Sequence, residues 1–239
     1  MNSLEICFSP ELVHVHDLQG KTVVVVDIFR ATSTMVTALA NGVEGIRPVE
    51  DLEQCRRLAG SGYVTAGERN GKKEEGFELG NSPLSYLGDA YKGRKVAMTT
   101  TNGTVAIERS KKQAAEILIG AFLNLQATAD YLRGKQRPVL ILCAGWKGKF
   151  NLEDSLYAGA LASLLHFPYD CDGTLAMESL YRQVSGDMGG FLKKASHAKR
   201  LQNQNIEADI DFCLSLDKYP LVVRLDGDEI VAEKNPHLA

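Results

Sequence analysis

The chain has 239 residues, 44% of them hydrophobic and 24% charged, with only 7 prolines. That balance excludes long disorder, collagen-like repeats and a disulfide scaffold, and the length is enough to bury a real core. The 27 basic and 30 acidic residues leave a net charge of −3, and the basic ones are scattered singly or in pairs, so no nucleic-acid partner is expected. Five cysteines at 7, 55, 143, 171 and 213 form no Cys-x-x-Cys pair, which argues against a zinc site and for a reducing cytoplasm. Residues 1–18 carry Glu5, His14, His16 and Asp17 and read as mature protein. The longest apolar run, residues 23–28, is broken by Asp27 and falls far short of the roughly 20 residues that cross a bilayer, so no membrane partner is expected either.

In chain order, β-branched runs predict strands at 4–8, 22–27, 46–49, 63–66, 95–99, 117–120 and 138–143. Between them, helical periodicity predicts helices at 32–41, 50–59, 83–91, 103–112, 122–133 and 152–166. This alternation is the pattern of an α/β fold with a mainly parallel sheet. Beyond residue 170 the order changes to successive helices at 172–184, 186–195 and 197–209, followed by short strands at 212–214, 221–224 and 229–231. Two α/β lobes, 1–110 and 111–239 with the helical tail, are the expected organisation, with a single domain over 1–239 as the alternative.

In open parallel sheets ligands bind beyond the carboxyl ends of the strands, and four such ends carry chemistry here. The first, Val26-Asp27-Ile28-Phe29-Arg30-Ala31-Thr32-Ser33, delivers a carboxylate, a guanidinium and hydroxyls to a helix start, a setting for a tetrahedral oxyanion. Helix capping by Thr32 or Ser33 and an Asp27–Arg30 pair are the plainer account of the same residues. The second, Gly67-Glu68-Arg69, offers a metal ligand and an anion partner, or else a turn with two solvated charges. The third, Thr99-Thr100-Thr101-Asn102-Gly103-Thr104, places more donors at a helix start than one cap needs, which points to an anion site. The fourth runs from Cys143-Ala144-Gly145-Trp146-Lys147-Gly148-Lys149 to Glu153 and Asp154, where the acids are metal ligands or ordinary dipole complements in a first helical turn. Hard oxygen ligands interleaved with fixed cations suit Mg²⁺ and a small polyanionic phosphoester.

Several phosphoryl-transfer signatures fail. Around Gly148-Lys149 the Walker positions hold Cys143 and Phe150. The spacing of a cysteine phosphatase ends on Lys149, which lacks the guanidinium fork. An Asp-x-Asp nucleophile meets Phe29. None of the five histidines falls in the four loops, and His197 is expected on the surface.

On these motifs, with Gly80-Asn81-Ser82-Pro83, the tail Asp211-Phe212-Cys213 and Asp217, the sequence resembles the ComB family of Mg²⁺-dependent 2-phosphosulfolactate phosphatases over its full length. The resemblance implies a layered α/β/α fold with the site in an interlobe cleft, and hydrolysis of (R)-2-phospho-3-sulfolactate to sulfolactate and phosphate in coenzyme M biosynthesis. Under that reading Asp27, Glu68 and one of Glu153 or Asp154 hold Mg²⁺. Asp27, Arg30 and Lys147 are then catalytic, while Thr32, Ser33, Arg69, Thr100, Thr101, Asn102, Gly103, Thr104 and Lys149 bind substrate. A homodimer is the assembly allowed for. A phosphatase of another organic acid phosphate, a non-catalytic sensor of anionic metabolites, and a phosphotransferase are the rival readings.

Overall fold

The computed structural model describes residues 2–197, 199 and 206–234. Strand β1 (Leu4–Cys7) leads through a 3₁₀ turn (Pro10–Val15) to β2 (Thr22–Val26), helix α1 (Ala31–Ala40) and β3 (Gly45–Pro48). Helix α2 (Leu52–Ala59), β4 (Val64–Arg69), the short β5 (Lys72–Lys73), β6 (Lys95–Thr99) and α3 (Gly103–Ser110) follow. Then come β7 (Glu116–Gly120), α4 (Leu125–Gly134), β8 (Val139–Cys143), α5 (Leu152–Leu165), α6 (Asp172–Val184), α7 (Met188–Leu192), α8 (Glu207–Cys213), β9 (Leu221–Asp226) and β10 (Glu229–Lys234).

The ten strands form one sheet in the order β1-β8-β2-β7-β9-β10-β3-β6-β4-β5. β1, β8, β2 and β7 are parallel neighbours, and β3, β6 and β4 form a second parallel block. The antiparallel hairpin β9–β10 joins the blocks. Strands from both sides of residue 110 share the sheet, since β2 lies between β7 and β8 while β10 lies against β3. Three antiparallel steps separate β7 from β3, so the blocks run in opposite senses along the sheet. Residues at the ends of β2 and β4 nevertheless line one cavity.

Val23 to Val26 are all fully buried because β2 is covered on both faces. Val24 and Val26 pack on one side with Leu156 and Leu161 of α5, whereas Val23 and Val25 pack on the other with Met35 of α1 and Ile107 of α3. This is an α/β/α sandwich, as the alternating pattern of the sequence predicts. Among the described residues no helix is long and apolar enough to cross a membrane.

Four expectations need correction. The helix at 83–91 is only a 3₁₀ turn, Pro83–Tyr86, because Gly88 takes a left-handed φ of 90° that ends helical pairing. The helix at 186–195 is split into a 3₁₀ turn, Ser185–Asp187, and the five-residue α7. The strand at 212–214 falls at the end of α8, since Ile210 and Cys213 sit one helical turn apart and are both buried. Strand 63–66 runs on to Arg69, so Gly67, Glu68 and Arg69 are strand residues braced by β5. Of the expected helix at 197–209, residues 198 and 200–205 lie outside the described residues.

Candidate active site

A narrow cavity of about 10 Å³, about the space of one water-sized sphere, is lined by Asp27, Phe29, Arg30, Glu68, Gly71, Asn81, Asn102, Trp146 and His197. It shares Arg30, Gly71 and Asn81 with a wider cavity of about 390 Å³ that also meets the exposed Lys72 and Lys73. Two carboxylates thus sit at the bottom of a funnel whose wider part is basic.

Asp27 is 7% exposed at the tip of β2. Its Oδ1 accepts one long hydrogen bond from the Ala31 amide at 3.4 Å. The approach of α3 leaves Oδ2 close beside Gly103, where a Cβ would lie 2.9 Å from that oxygen and 2.7 Å from the Ala31 methyl, so only glycine fits. Burial pushes the Asp27 carboxyl up to about 7, and the charges of Glu68 and Glu153 add to the rise while His197 opposes it.

Glu68 is buried and held by local donors. Thr101 Oγ1 donates at 3.1 Å, the Thr101 amide at 3.2 Å and the Gly71 amide at 2.5 Å. Arg30 is 5% exposed, paired with the buried Asp209 of α8, and it donates to the Gly71 carbonyl at 2.9 Å. Ser82 Oγ donates to the other Asp209 oxygen at 2.7 Å, which ties α8 to the Arg30 side of the funnel.

Behind this lining, in the first turn of α5, Asp154 is saturated. Its Oδ1 accepts from the Ile28 amide at 2.8 Å, and its Oδ2 accepts from the Gly145 amide at 3.1 Å and from Asn151 Nδ2 at 2.8 Å. Burial and the charges of Asp27 and Glu153 push the Asp154 carboxyl well above the usual range. Glu153 is fully buried, accepts from Asn151 Nδ2 at 3.0 Å, and faces His197 Nδ1 through its Oε1. The His197 ring lies 4.8 Å from Trp146 and 6.3 Å from Phe29 between centroids. Among the described residues, no three His, Cys, Asp or Glu side chains are grouped as a ready metal cage.

Buried acids at strand ends, a basic approach and a loop-rich rim are what a phosphoester enzyme needs, and the sequence comparison agrees. The profile of the family described as 2-phosphosulpholactate phosphatase matches residues 7–228. The chain belongs to this family. A protein of Thermotoga petrophila named "Probable 2-phosphosulfolactate phosphatase" is 41% identical over 219 residues, covering 92% of this chain and 95% of that protein. Proteins of the same name from Caldanaerobacter subterraneus subsp. tengcongensis and Clostridium acetobutylicum are 39% identical over 221 residues and 33% identical over 235. They cover 89% and 95% of this chain, and 91% and 99% of their own lengths.

Within this family member, the structure brings together Asp27, Arg30, Glu68 and Asn102 around the narrow cavity. Arg69 points elsewhere: it donates to Thr99 Oγ1 at 2.9 Å and to the carbonyls of Glu68 and Glu50. The hydroxyls expected to meet an anion are turned inward. Thr32 donates to the Asp27 carbonyl, Ser33 to the Ile28 carbonyl and Thr104 to the Thr100 carbonyl, while Thr100 Oγ1 accepts from the Thr104 amide. They are loop locks, because a buried hydroxyl takes the nearest backbone partner. Lys147 is exposed, with its amide on Asn102 Oδ1 at 3.1 Å and its ammonium 5.6 Å from the Trp146 ring centroid, and Lys149 is exposed as well. The Asp27–Arg30 pair of the plainer account does not form; Arg30 pairs with Asp209 instead.

Sequence reasoning missed Asp209, which lies about 180 residues from Arg30 in the chain and carries no local signal. It also placed His197 on the surface, whereas the residue is 3% exposed. The signal available was the aromatic and acidic company of positions 29, 146 and 153, which only the fold brings to it.

Proposed function

We propose that this chain is a Mg²⁺-dependent phosphomonoesterase of a small organic acid, with (R)-2-phospho-3-sulfolactate as the substrate its family membership favours and a cytoplasmic role in coenzyme M biosynthesis. The observation that carries the reading is the pair of buried carboxylates, Asp27 and Glu68, beside a buried arginine at the foot of a basic funnel. Asp27 keeps a carboxylate in a 7%-exposed position with one weak donor, a costly arrangement unless a cation joins it.

Mg²⁺ characteristically uses one or two protein carboxylates and completes its shell with water and phosphate oxygens. Asp27 and Glu68 fit that demand and would hold the ion, whereas Asp154 is committed to backbone amides. When bound, the ion would act as a Lewis acid on the phosphoryl oxygens. Arg30, fixed by Asp209 and the Gly71 carbonyl, directs its guanidinium to the mouth of the narrow cavity, where a phosphate is neutralised and oriented. Lys72 and Lys73, exposed on the wider cavity, would be available to a carboxylate or sulfonate on the same substrate.

The test is phosphate release from 2-phosphosulfolactate, phospholactate and phosphoglycolate, each with Mg²⁺ and with EDTA. Metal-dependent release that is fastest on the sulfonate supports the whole reading. Release on another ester alone keeps the chemistry and discards the substrate, and release from none of them overturns the assignment.

A further inference from the structure

His197 has an unusual position for a residue of the tail. Its ring is 3% exposed, packed at a tilt against Trp146 and Phe29, and fixed through Nδ1 to the Glu153 carboxylate, which is itself fully buried. The other ring nitrogen, Nε2, is buried and has no hydrogen-bond partner among the described residues. The ring lines the same narrow cavity as Asp27, Arg30 and Glu68. A buried nitrogen left unpaired loses the hydrogen bond it would make in water, and the fold accepts that loss at the edge of the narrow cavity.

We propose that His197 is a catalytic residue that donates the Nε2 proton to the ester oxygen as the phosphate leaves, with Glu153 as its positioning partner. The inference rests on the phosphomonoesterase reading above. A carboxylate at Nδ1 fixes the ring orientation and tautomer and pairs with the charge when both nitrogens carry protons, the division of labour known from carboxylate–histidine pairs in hydrolases. In the step, the bond from phosphorus to the ester oxygen breaks, its electron pair goes to that oxygen, and the Nε2 proton turns it into the free alcohol. Water supplies the new bond to phosphorus. The dihydrogen phosphate so formed returns one proton to Nε2 and leaves as monohydrogen phosphate, so the ring is restored and the charges balance. The alcohol of a hydroxy acid is a poor leaving group without protonation, and phosphoryl transfer passes through a loose transition state in which charge builds on that oxygen.

The test compares phospholactate with its analogue in which sulfur replaces the bridging oxygen, because a thiolate departs without a proton. His197→Asn keeps an amide donor for Glu153 where Nδ1 stood and removes Nε2. The expected result is a fall in kcat of about 10²- to 10³-fold on the oxygen ester, less than about 10-fold on the sulfur analogue, with phosphate release followed in both. Glu153→Gln should show the same selectivity at a smaller size. Equal losses on the two substrates, or full activity of His197→Asn on both, overturns the proposal, and the thermal melt of each variant tells a folding defect from lost chemistry. If the wild-type chain releases phosphate from the oxygen ester, the phosphomonoesterase reading stands whatever the variants do. If it releases phosphate from neither of these nor from 2-phosphosulfolactate, both readings fall together.

Discussion

Asp27 at the carboxyl end of β2 and Asp154 in the first turn of α5 are both buried, both with carboxyls pushed up by that burial. They differ in what answers the charge. Asp154 takes two backbone amides and the Asn151 side chain, all at 3.1 Å or less, and so braces the tip of β2 against the loop after β8. Asp27 takes one amide at 3.4 Å. Burial alone therefore does not mark a reactive carboxylate; the unfilled oxygens do. One acid is part of the frame, and the other is held open within it.

Breaking the open member should cost function and leave the fold standing. Asp27→Asn is expected to lower kcat at least about 10³-fold, because under the proposed function it removes the charge that would hold the metal ion, while the midpoint of urea unfolding stays level or rises. Breaking the frame should do the reverse in energy. Asp154→Ala strands the amides of Ile28 and Gly145 and the Asn151 side chain, and should destabilise the protein by about 3 kcal/mol or more, seen as a lower urea midpoint. Equal stability losses in the two variants would erase the distinction.

A pH series sharpens the same contrast. An acid that ionises near 3.8 when unfolded and near 7 when folded binds more protons in the folded state between those values. Its stabilising share is complete below pH 3.8 and is lost as pH rises through about 7. In EDTA the wild-type chain should lose on the order of 2 kcal/mol between pH 5 and pH 8 from Asp27, and Asp27→Asn should lose correspondingly less. Under the proposed function Mg²⁺ should restore much of that stability to the wild type alone, because the ion would bind the ionised carboxylate. Parallel urea titrations at the two pH values read both effects.

The division of labour explains what the sequence discloses. Val23 to Val26 announce a fully covered strand, and the polar residues that follow announce a loop at the ligand end of the sheet, so the layered α/β/α architecture and the place of Asp27, Arg30 and Glu68 are legible. What is not legible is hydrogen-bond commitment. Thr32, Ser33 and Thr104 look like donors for an anion until their carbonyl partners are seen, and Glu153 and Asp154 look equivalent until one meets His197 and the other meets the amides of Ile28 and Gly145. Asp209 and His197 enter the site from the tail by tertiary packing, with no period or motif to signal it. The helix at 83–91 failed for a local reason, a left-handed Gly88, that side-chain periodicity does not encode.

The smallest effect tests the comparison at the third strand end, where four threonines look alike in sequence. Thr101 alone turns its hydroxyl to the Glu68 carboxylate, at 3.1 and 3.2 Å, whereas Thr100 and Thr104 close the loop on each other. Thr101→Val keeps the shape and the amide bond to Glu68 but removes one donor from a buried charge, so it should cost about 1 kcal/mol in stability and raise the Mg²⁺ concentration needed for half-maximal activity a few-fold, about 3- to 10-fold. Thr104→Val, equal in volume change and buried a few residues away, should lower stability by a similar amount and leave the Mg²⁺ dependence where it was. Stability measured by urea unfolding matches the two variants; the metal titration separates them only if Glu68 faces the ion. A Thr104→Val shift as large as that of Thr101→Val would mean that the loop acts as one rigid body and that no single hydroxyl in it tunes the carboxylate.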